Sequence, residues 1–322
     1  MSVALHELPL WLNLVILVGS MAIVGVGAHW VVESATQLSR RLGVSELVIG
    51  LTVVALGTSA PEFAVTIIAA FKGQGDISIG NIVGSNIFNL GFILGGCALV
   101  RAIPVSRSLW RSAVAVLGGT TLLLLIMIGH NLRLDRPEGI LLAVLMVVYL
   151  GYLALGPKEV ELPEHAVDET RQGPLIATVG LLLFSFGFII GGSHLLIVTA
   201  TEVARDFGVS EWVIGVTVVA AGTSVPEFAT SLAGVIKGKF ALSAGNVIGS
   251  DIFNLLGVLG VAGTLMPIGV DPMARISLAA LCGMVLLLLV FMRTGWRISR
   301  FEGLLLILVA ALRWYFDFSV RS

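Results

Sequence analysis

Residues 57–63 read GTSAPEF, and residues 222–228 read GTSVPEF. Each sets a proline and then a glutamate inside an otherwise apolar run, so a helix-breaker and a carboxylate stand side by side twice. The two copies are 165 residues apart, and that shift lays the first half of the chain on the second. Residues 43–64 (GVSELVIGLTVVALGTSAPEFA) and 208–229 (GVSEWVIGVTVVAAGTSVPEFA) agree at 18 of 22 positions. The same shift pairs GNIVGSNIFN at 80–89 with GNVIGSDIFN at 245–254, and a shift of 164 pairs RPEG at 136–139 with RFEG at 300–303. The chain is therefore an internal repeat, and the fold has to be built from two copies of one unit.

Composition says where that unit sits. Of 322 residues, 57% are hydrophobic and 12% charged, against roughly 25% charged in soluble domains. Mean hydropathy is +1.02. Apolar stretches long enough to cross a bilayer of about 30 Å recur along the whole chain. Ten are expected, at roughly 10–33, 44–71, 77–100, 109–129, 138–156, 174–200, 209–236, 241–265, 274–293 and 303–318. The first lacks a preceding Lys or Arg and is too long for the apolar region of a cleaved signal peptide. Cys97 and Cys282 lie in or near spans, which argues against a disulfide framework or a thiolate metal site. A net charge of −1 without basic runs argues against a nucleic-acid partner.

Ten spans divide into two repeats of five, residues 1–155 and 174–322, joined by a polar linker at 156–173. A five-span unit starts on one side of the membrane and ends on the other, so tandem copies have opposite orientations. The expected fold is all-α, with ten transmembrane helices in two inverted-topology repeats, a construction common in secondary transporters. The side carrying the loops after spans 1, 3, 5, 7 and 9 holds twelve of the nineteen Lys and Arg residues. The positive-inside rule then puts the linker in the cytoplasm and both termini outside.

Proline lacks an N–H and clashes with the carbonyl four residues back. Pro61 thus frees the Gly57 carbonyl and Pro226 that of Gly222, breaking spans 2 and 7. Bare carbonyls at membrane depth are tolerated where they face protein or a water-filled cavity, and there they can serve a cation. Helical spacing puts Thr58 and Ser59 on the face of Glu62, and Thr223 and Ser224 on that of Glu227. Ser85 and Asn89, four apart on span 3, and Ser250 and Asn254 on span 8 can face these cassettes. All are hard oxygen donors, the kind Ca2+ and Na+ take. A proline in a membrane helix is often only a kink, and small residues often serve close packing. The two glutamates are different, because an acid at a helix centre costs about 2.5–3.5 kcal/mol and is functional by default.

GTSAPEF with GSNIFN, and GTSVPEF with GSDIFN, resemble the paired alpha-repeats of the cation/Ca2+ exchanger superfamily, in its prokaryotic sodium/calcium antiporter branch. The resemblance covers essentially the whole chain. It implies ten helices with the second and seventh broken, and exchange of external Na+ for internal Ca2+ in the cell (inner) membrane. It also implies ion ligands at Glu62 and Glu227, at the hydroxyls of Thr58, Ser59, Ser85, Thr223, Ser224 and Ser250, and at the backbone carbonyls of Ala55 and Ala220. No cofactor or obligatory protein partner is expected; the partners are Na+, Ca2+ and the lipid bilayer.

The chain departs from that pattern in places. Some members of the superfamily carry an aspartate where Asn254 stands, and Asp251 stands where the first repeat has Asn86. Asp251 adjoins Ser250 and is a candidate for ion binding or proton uptake, the alternative being an interfacial acid with a partner. His29 and His194 occupy equivalent positions, and bonding to a neighbouring helix is the favoured expectation for them over a role in pH sensing. Spans 2, 3, 7 and 8 are expected to form a core, with spans 1 and 6 moving across it as the gate. A H+/Ca2+ antiporter on the same scaffold is the main alternative. A cation channel fits inverted halves poorly, and an enzyme finds neither HExxH nor a nucleophile–base pair in the spans.

Overall fold

The computed structural model describes residues 9–155, 174–207 and 220–321. The linker and the second GVSEWVIGVTVV segment, 208–219, lie outside the described residues. Among those described, the chain is almost entirely helical: α1 Leu10–Leu42, α2 Glu46–Thr58, α3 Ala60–Phe71, α4 Gly75–Val100, α5 Arg107–Asn131, α6 Arg136–Leu155, α7 Leu175–Asp206, α8 Val225–Ile236, α9 Phe240–Leu265, α10 Met273–Arg293 and α11 Arg300–Arg321. Seven of these are long and apolar enough to cross a membrane alone: α1, α4, α5, α6, α7, α9 and α10. The pair α2 and α3, bent by 51° at Ser59, makes an eighth span if counted as one. Of the other two expected spans, the seventh is partly outside the described residues, leaving the shorter apolar helix α8. The tenth is α11, long but carrying Arg300, Glu302 and Arg313.

The helix ends follow from local chemistry. Ser45 and Ser106 cap α2 and α5 by accepting from the backbone N–H groups of Val48 at 3.3 Å and Leu109 at 3.0 Å. The repeated RPEG and RFEG are the first turns of α6 and α11. Glu138 Oε2 accepts from the Asp135 N–H at 2.8 Å, and Glu302 Oε2 from the Ser299 N–H at 2.7 Å. Each glutamate reaches back to the residue just outside its helix, as in a capping box.

Four two-residue strands tie the halves together. β1 (Ile103–Pro104) pairs antiparallel with β4 (Arg297–Ile298), and β2 (Arg133–Leu134) with β3 (Ile268–Gly269). Each pair takes one strand from each half. Just before β2 and β4, Leu132 and Trp296 stand in left-handed conformations at φ 56° and 53°, unusual for large side chains. Their carbonyls continue the pairs, accepting from Val270 and Val105 at 2.9 and 2.8 Å. The two pairs lie at opposite ends of α5.

Burial separates core from periphery. The apolar windows of α4 and α9 are 72% and 83% buried, against 22% for α1 and 28% for α7. α1 and α7 pack against each other along their length. They meet at two equivalent glycines, where a methyl group would stand 2.7 Å from Ile189 (at Gly27) and 2.8 Å from Ile23 (at Gly192). In the core, α2 and α9 approach almost backbone to backbone. A Cβ at Gly249 would lie 2.6 Å from Leu51 Cα and 2.7 Å from Leu51 O.

That approach leaves no room for a side chain, and overpacking typically costs about 1–3 kcal/mol. Gly249→Val should lower the melting temperature of the detergent-purified protein by several degrees or more. Gly119→Ala, where a methyl group meets nothing within 4 Å, should leave it equal or raised. Equal melting of the Gly249→Val variant and the parent would refute the close crossing.

Candidate functional site

The site begins at the two helix breaks. α2 stops at Thr58; Ser59 takes φ −81°, ψ 11°; and α3 starts with Pro61 and Glu62 in its first turn. The second copy does the same, with Ser224 at φ −87°, ψ 7° and with Pro226 and Glu227 in the first turn of α8. A helix N-terminus favours negative charge, so each glutamate sits at the end of a helix best suited to it. Both are fully buried.

The helix break re-aims the hydroxyls. A shared face would have set Ser59 beside Glu62 of its own cassette. Instead Ser59 Oγ donates to Glu227 Oε1 at 2.8 Å, and Ser224 Oγ donates to Glu62 Oε1 at 3.1 Å. Because the chain leaves helical geometry at these serines, the expectation of one face per cassette is corrected: each carboxylate receives the serine of the other half. Ser85 and Ser250 serve their own halves, donating to Glu62 Oε1 at 3.0 Å and Glu227 Oε1 at 3.4 Å. The Ser85 and Ser224 oxygens are also 2.6 Å apart, so one hydroxyl can donate to the other in place of its bond to Glu62. Thr58 joins the cluster through Asn246 Oδ1 at 3.2 Å and Ser250 Oγ at 3.5 Å.

The other expected site residues fall as follows. The Ala55 carbonyl accepts from the Ser59 N–H at 3.0 Å and lies 3.4 Å from the Thr58 hydroxyl. Ala220 opens the short helical turn Ala220–Gly222. Thr223 Oγ1 is buried without a protein partner. Asn89, Asn254 and Asp251 are fully buried beside the hydroxyl cluster. Asn89 donates to Asp251 Oδ1 at 2.9 Å, so the acid has a partner on the other half. Phe186 of α7 lies against Gly57, and Ile197 against Gly222, where any Cβ would collide with them. The histidines stand apart. The His29 side chain, half exposed, bonds Glu33 of its own helix at 3.1 Å, and only its backbone carbonyl meets a neighbouring segment, through Lys237 Nζ at 3.1 Å. His194 is exposed. The expected side-chain bond from His29 to another helix is thus corrected: four-residue spacing puts Glu33 within its reach.

Two equivalent asparagines escaped the sequence reasoning. Asn81 Nδ2 donates to the Glu62 carbonyl at 3.3 Å and to Thr66 Oγ1 at 3.0 Å. Asn246 Nδ2 does the same to the Glu227 carbonyl at 3.4 Å and Ser231 Oγ at 2.9 Å. Each asparagine fastens a glutamate-bearing helix to α4 or α9. Their signal was the repeated Gly-Asn that opens GNIVGSN and GNVIGSD.

Chemically, the cluster offers two carboxylates surrounded by neutral oxygens. Glu62 Oε2 and Glu227 Oε2 are buried and accept no protein hydrogen bond. No three of His, Cys, Asp and Glu converge as a resident metal would need, among the described residues. Such a donor set suits a hard cation held by oxygen.

Comparison with known proteins points the same way. The family model described as sodium/calcium exchanger protein matches residues 12–155 and 177–318. A putative antiporter, CaxA of Alkalimonas amylolytica, is 37% identical over 287 residues, covering 86% of this chain and 89% of that one. The inner membrane protein YrbG of Escherichia coli (strain K12) is 33% identical over 303 residues, covering 89% and 90%. The solved structure of the sodium-calcium exchanger NCX_Mj soaked with 2.5 mM Na+ and 0.1 mM Ca2+ superposes with a TM-score of 0.81 at 28% identity, covering 94% of this chain and 97% of that one.

Asn81→Ala and Asn246→Ala each strip a hydroxyl and a glutamate carbonyl of their donor. Unmet buried groups cost about 1–3 kcal/mol, so each variant should unfold at measurably lower temperature or denaturant concentration. Unchanged unfolding in both would show that these bridges do not hold the site helices.

Proposed function

We propose that this chain, which belongs to the sodium/calcium exchanger family of membrane cation antiporters, exchanges Na+ for Ca2+ at a site centred on Glu62 and Glu227. It is a multi-pass membrane protein and not an enzyme. One observation carries the choice of site: two buried carboxylates face a common cluster of hydroxyls from both halves, and each keeps an oxygen that no protein donor fills. The ligands are those two glutamates with Thr58, Ser59, Ser85, Asn89, Thr223, Ser224, Ser250 and Asn254, and with the carbonyls of Ala55 and Ala220 once their turns open. The formal charge of two ionised glutamates matches one divalent cation or two or more monovalent ones. The sodium/calcium exchanger MaX1 of Methanosarcina acetivorans, 29% identical over 334 residues, supports the choice of ions.

The ten-helix, inverted-repeat arrangement belongs to this proposal, with α2–α3 and the segment ending in α8 as the broken second and seventh spans. It is supported by the exchange of strands. β1 and β3 are equivalent, as are β2 and β4, yet β1 pairs with β4 and β2 with β3. Two halves of opposite orientation produce that pairing. Loops of one parity also meet: Lys239 pairs with Glu46 at 2.7 Å, and the Arg107 and Arg293 guanidiniums lie over Trp296.

Transport follows from charge. With a cation bound, the carboxylates are neutralised and α1 with α7 can tilt across the core, carrying Phe186 and Ile197 over the cassettes. With the site empty, the same movement would drive bare carboxylates past an apolar barrier, a cost of several kcal/mol. Leak is thereby suppressed in favour of exchange.

Purified protein in liposomes should take up 45Ca2+ when a Na+ gradient is imposed. Glu62→Gln and Glu227→Gln should each reduce that uptake to background while the protein remains folded and inserted. Uptake driven by a pH gradient alone would replace Na+ with H+ as the counter-ion. Saturation-free flux with no coupled ion would mean a channel. Near-normal uptake by either glutamine variant would remove the glutamates from the site.

The basic-residue excess puts the 156–173 linker in the cytoplasm and both termini outside. In a background without Cys97 and Cys282, a cysteine placed in the linker should resist a membrane-impermeant thiol reagent in intact cells, and one at Ser2 should react. The opposite labelling pattern would invert the orientation.

A further inference from the structure

The two asparagines counted above as ligands are each held by a residue of the opposite half. Asn89 on α4 donates from Nδ2 to Asp251 Oδ1 on α9 at 2.9 Å, and Asn254 on α9 donates from Nδ2 to Asn86 Oδ1 on α4 at 3.0 Å. Positions 89 and 254 differ by 165, and so do 86 and 251, so one interaction is built twice. All four side chains are fully buried. Asn89 Oδ1 and Asn254 Oδ1 accept no bond from the protein.

A primary amide has a donor end and an acceptor end that diverge within one plane. Tying down the donor end decides where the acceptor end points. In both copies the tied end is NH2 and the free end is oxygen, which is the end a cation needs. The tie works only if the residue behind presents an acceptor. Asn86 is kept in that sense because its own NH2 donates to the Asp251 backbone carbonyl at 3.1 Å, which leaves Oδ1 turned toward Asn254. Asp251 presents carboxyl oxygens in place of an amide. The one residue at which GSNIFN and GSDIFN differ thus has the same task in both copies.

A widened turn puts these residues where they are. α4 and α9 leave α-helical geometry for one π-type turn, over Asn89–Leu94 and Phe253–Val258. Such turns often mark functional sites. Here they begin at, or one residue before, the two asparagines, beside the line where α4 and α9 meet.

We propose that Asn86 and Asp251 are positioning residues, each orienting the amide of the opposite half's asparagine so that its oxygen faces the transported cation. The proposal rests on the assignment of Asn89 and Asn254 as ligands. It gives Asp251 a task that does not depend on its touching the ion. The relation resembles that of outer-shell partners at metal sites, whose loss costs about 10–100-fold in affinity.

The test is a pair of double-mutant cycles on 45Ca2+ uptake in proteoliposomes. One cycle joins Asp251→Leu with Asn89→Ala, and the mirror cycle joins Asn86→Leu with Asn254→Ala. Wild-type uptake and its loss in Glu62→Gln are measured first, so a failure of the proposed function is seen before any positioning variant is compared. Each single substitution should raise KM for Ca2+ by about 10–100-fold, with a smaller change in kcat. Each double variant should be no worse than its worse single. Asp251→Asn, which keeps an acceptor oxygen, should recover the greater part of the lost affinity. Multiplying effects in the double variants would overturn the proposal, as would an unchanged KM in the leucine variants or an Asp251→Asn as impaired as Asp251→Leu. The cycles are independent, so a leucine variant that fails to fold leaves the other cycle to decide.

Discussion

A carboxylate inside an apolar bundle must be compensated where it stands, because water cannot reach it. Two glutamates here share one buried place, and most of the architecture around them can be traced to that requirement. The broken helices aim helix N-termini at them. Ser59 and Ser224 cross over to the opposite glutamate, while Ser85 and Ser250 approach from α4 and α9. Hydrogen bonds to charged groups are worth about 1.5–3 kcal/mol each, comparable with the cost of one acid at a helix centre. The compensation is deliberately incomplete: one oxygen on each glutamate is left unfilled. A pair of carboxylates fully satisfied by protein would have no reason to bind anything.

Much of this was legible in the chain itself. An offset of 165 residues found the repeat, and a proline followed by a glutamate found both the break and the charge. The burial of α4 and α9 and the peripheral standing of α1 and α7 follow from composition and from which spans carry the motifs. The partner exchange was not legible. Residue spacing assumes continuous helix, and at Ser59 and Ser224 the chain is not helical, so a face drawn on a wheel sends those hydroxyls the wrong way. Asn81 and Asn246 were present in the repeated segments, but a motif shows which positions recur and not which atom each side chain serves. The π-type turns in α2, α4, α5 and α9 have no marker in the residues that form them.

The same geometry separates tightly seated helices from loosely seated ones. α9 crosses α2 so closely that Gly249 has backbone where a side chain would be, and the strand pairs join the halves at both ends. α1 and α7 are seated differently: each buries a minor share of its apolar window, and they pack along each other, meeting at Gly27 and Gly192. α7 meets the glycines of the two cassettes through the Phe186 ring and Ile197, apolar groups that make no directional bond there.

The exchange of serines between halves also bears on how the protein is made. Glu62 is inserted with its own half, yet Ser224, one of the two hydroxyls that meet it, lies 162 residues further along the chain. At synthesis rates of about 5–20 residues per second, the first half waits roughly ten to thirty seconds with its acid incompletely solvated. During that interval helices α1–α6 lack the hydroxyl that the second half brings to Glu62. Assembly is therefore an intramolecular dimerisation, in which the ribosome sets the delay and the arriving half closes the first one's vacancy as it fills its own.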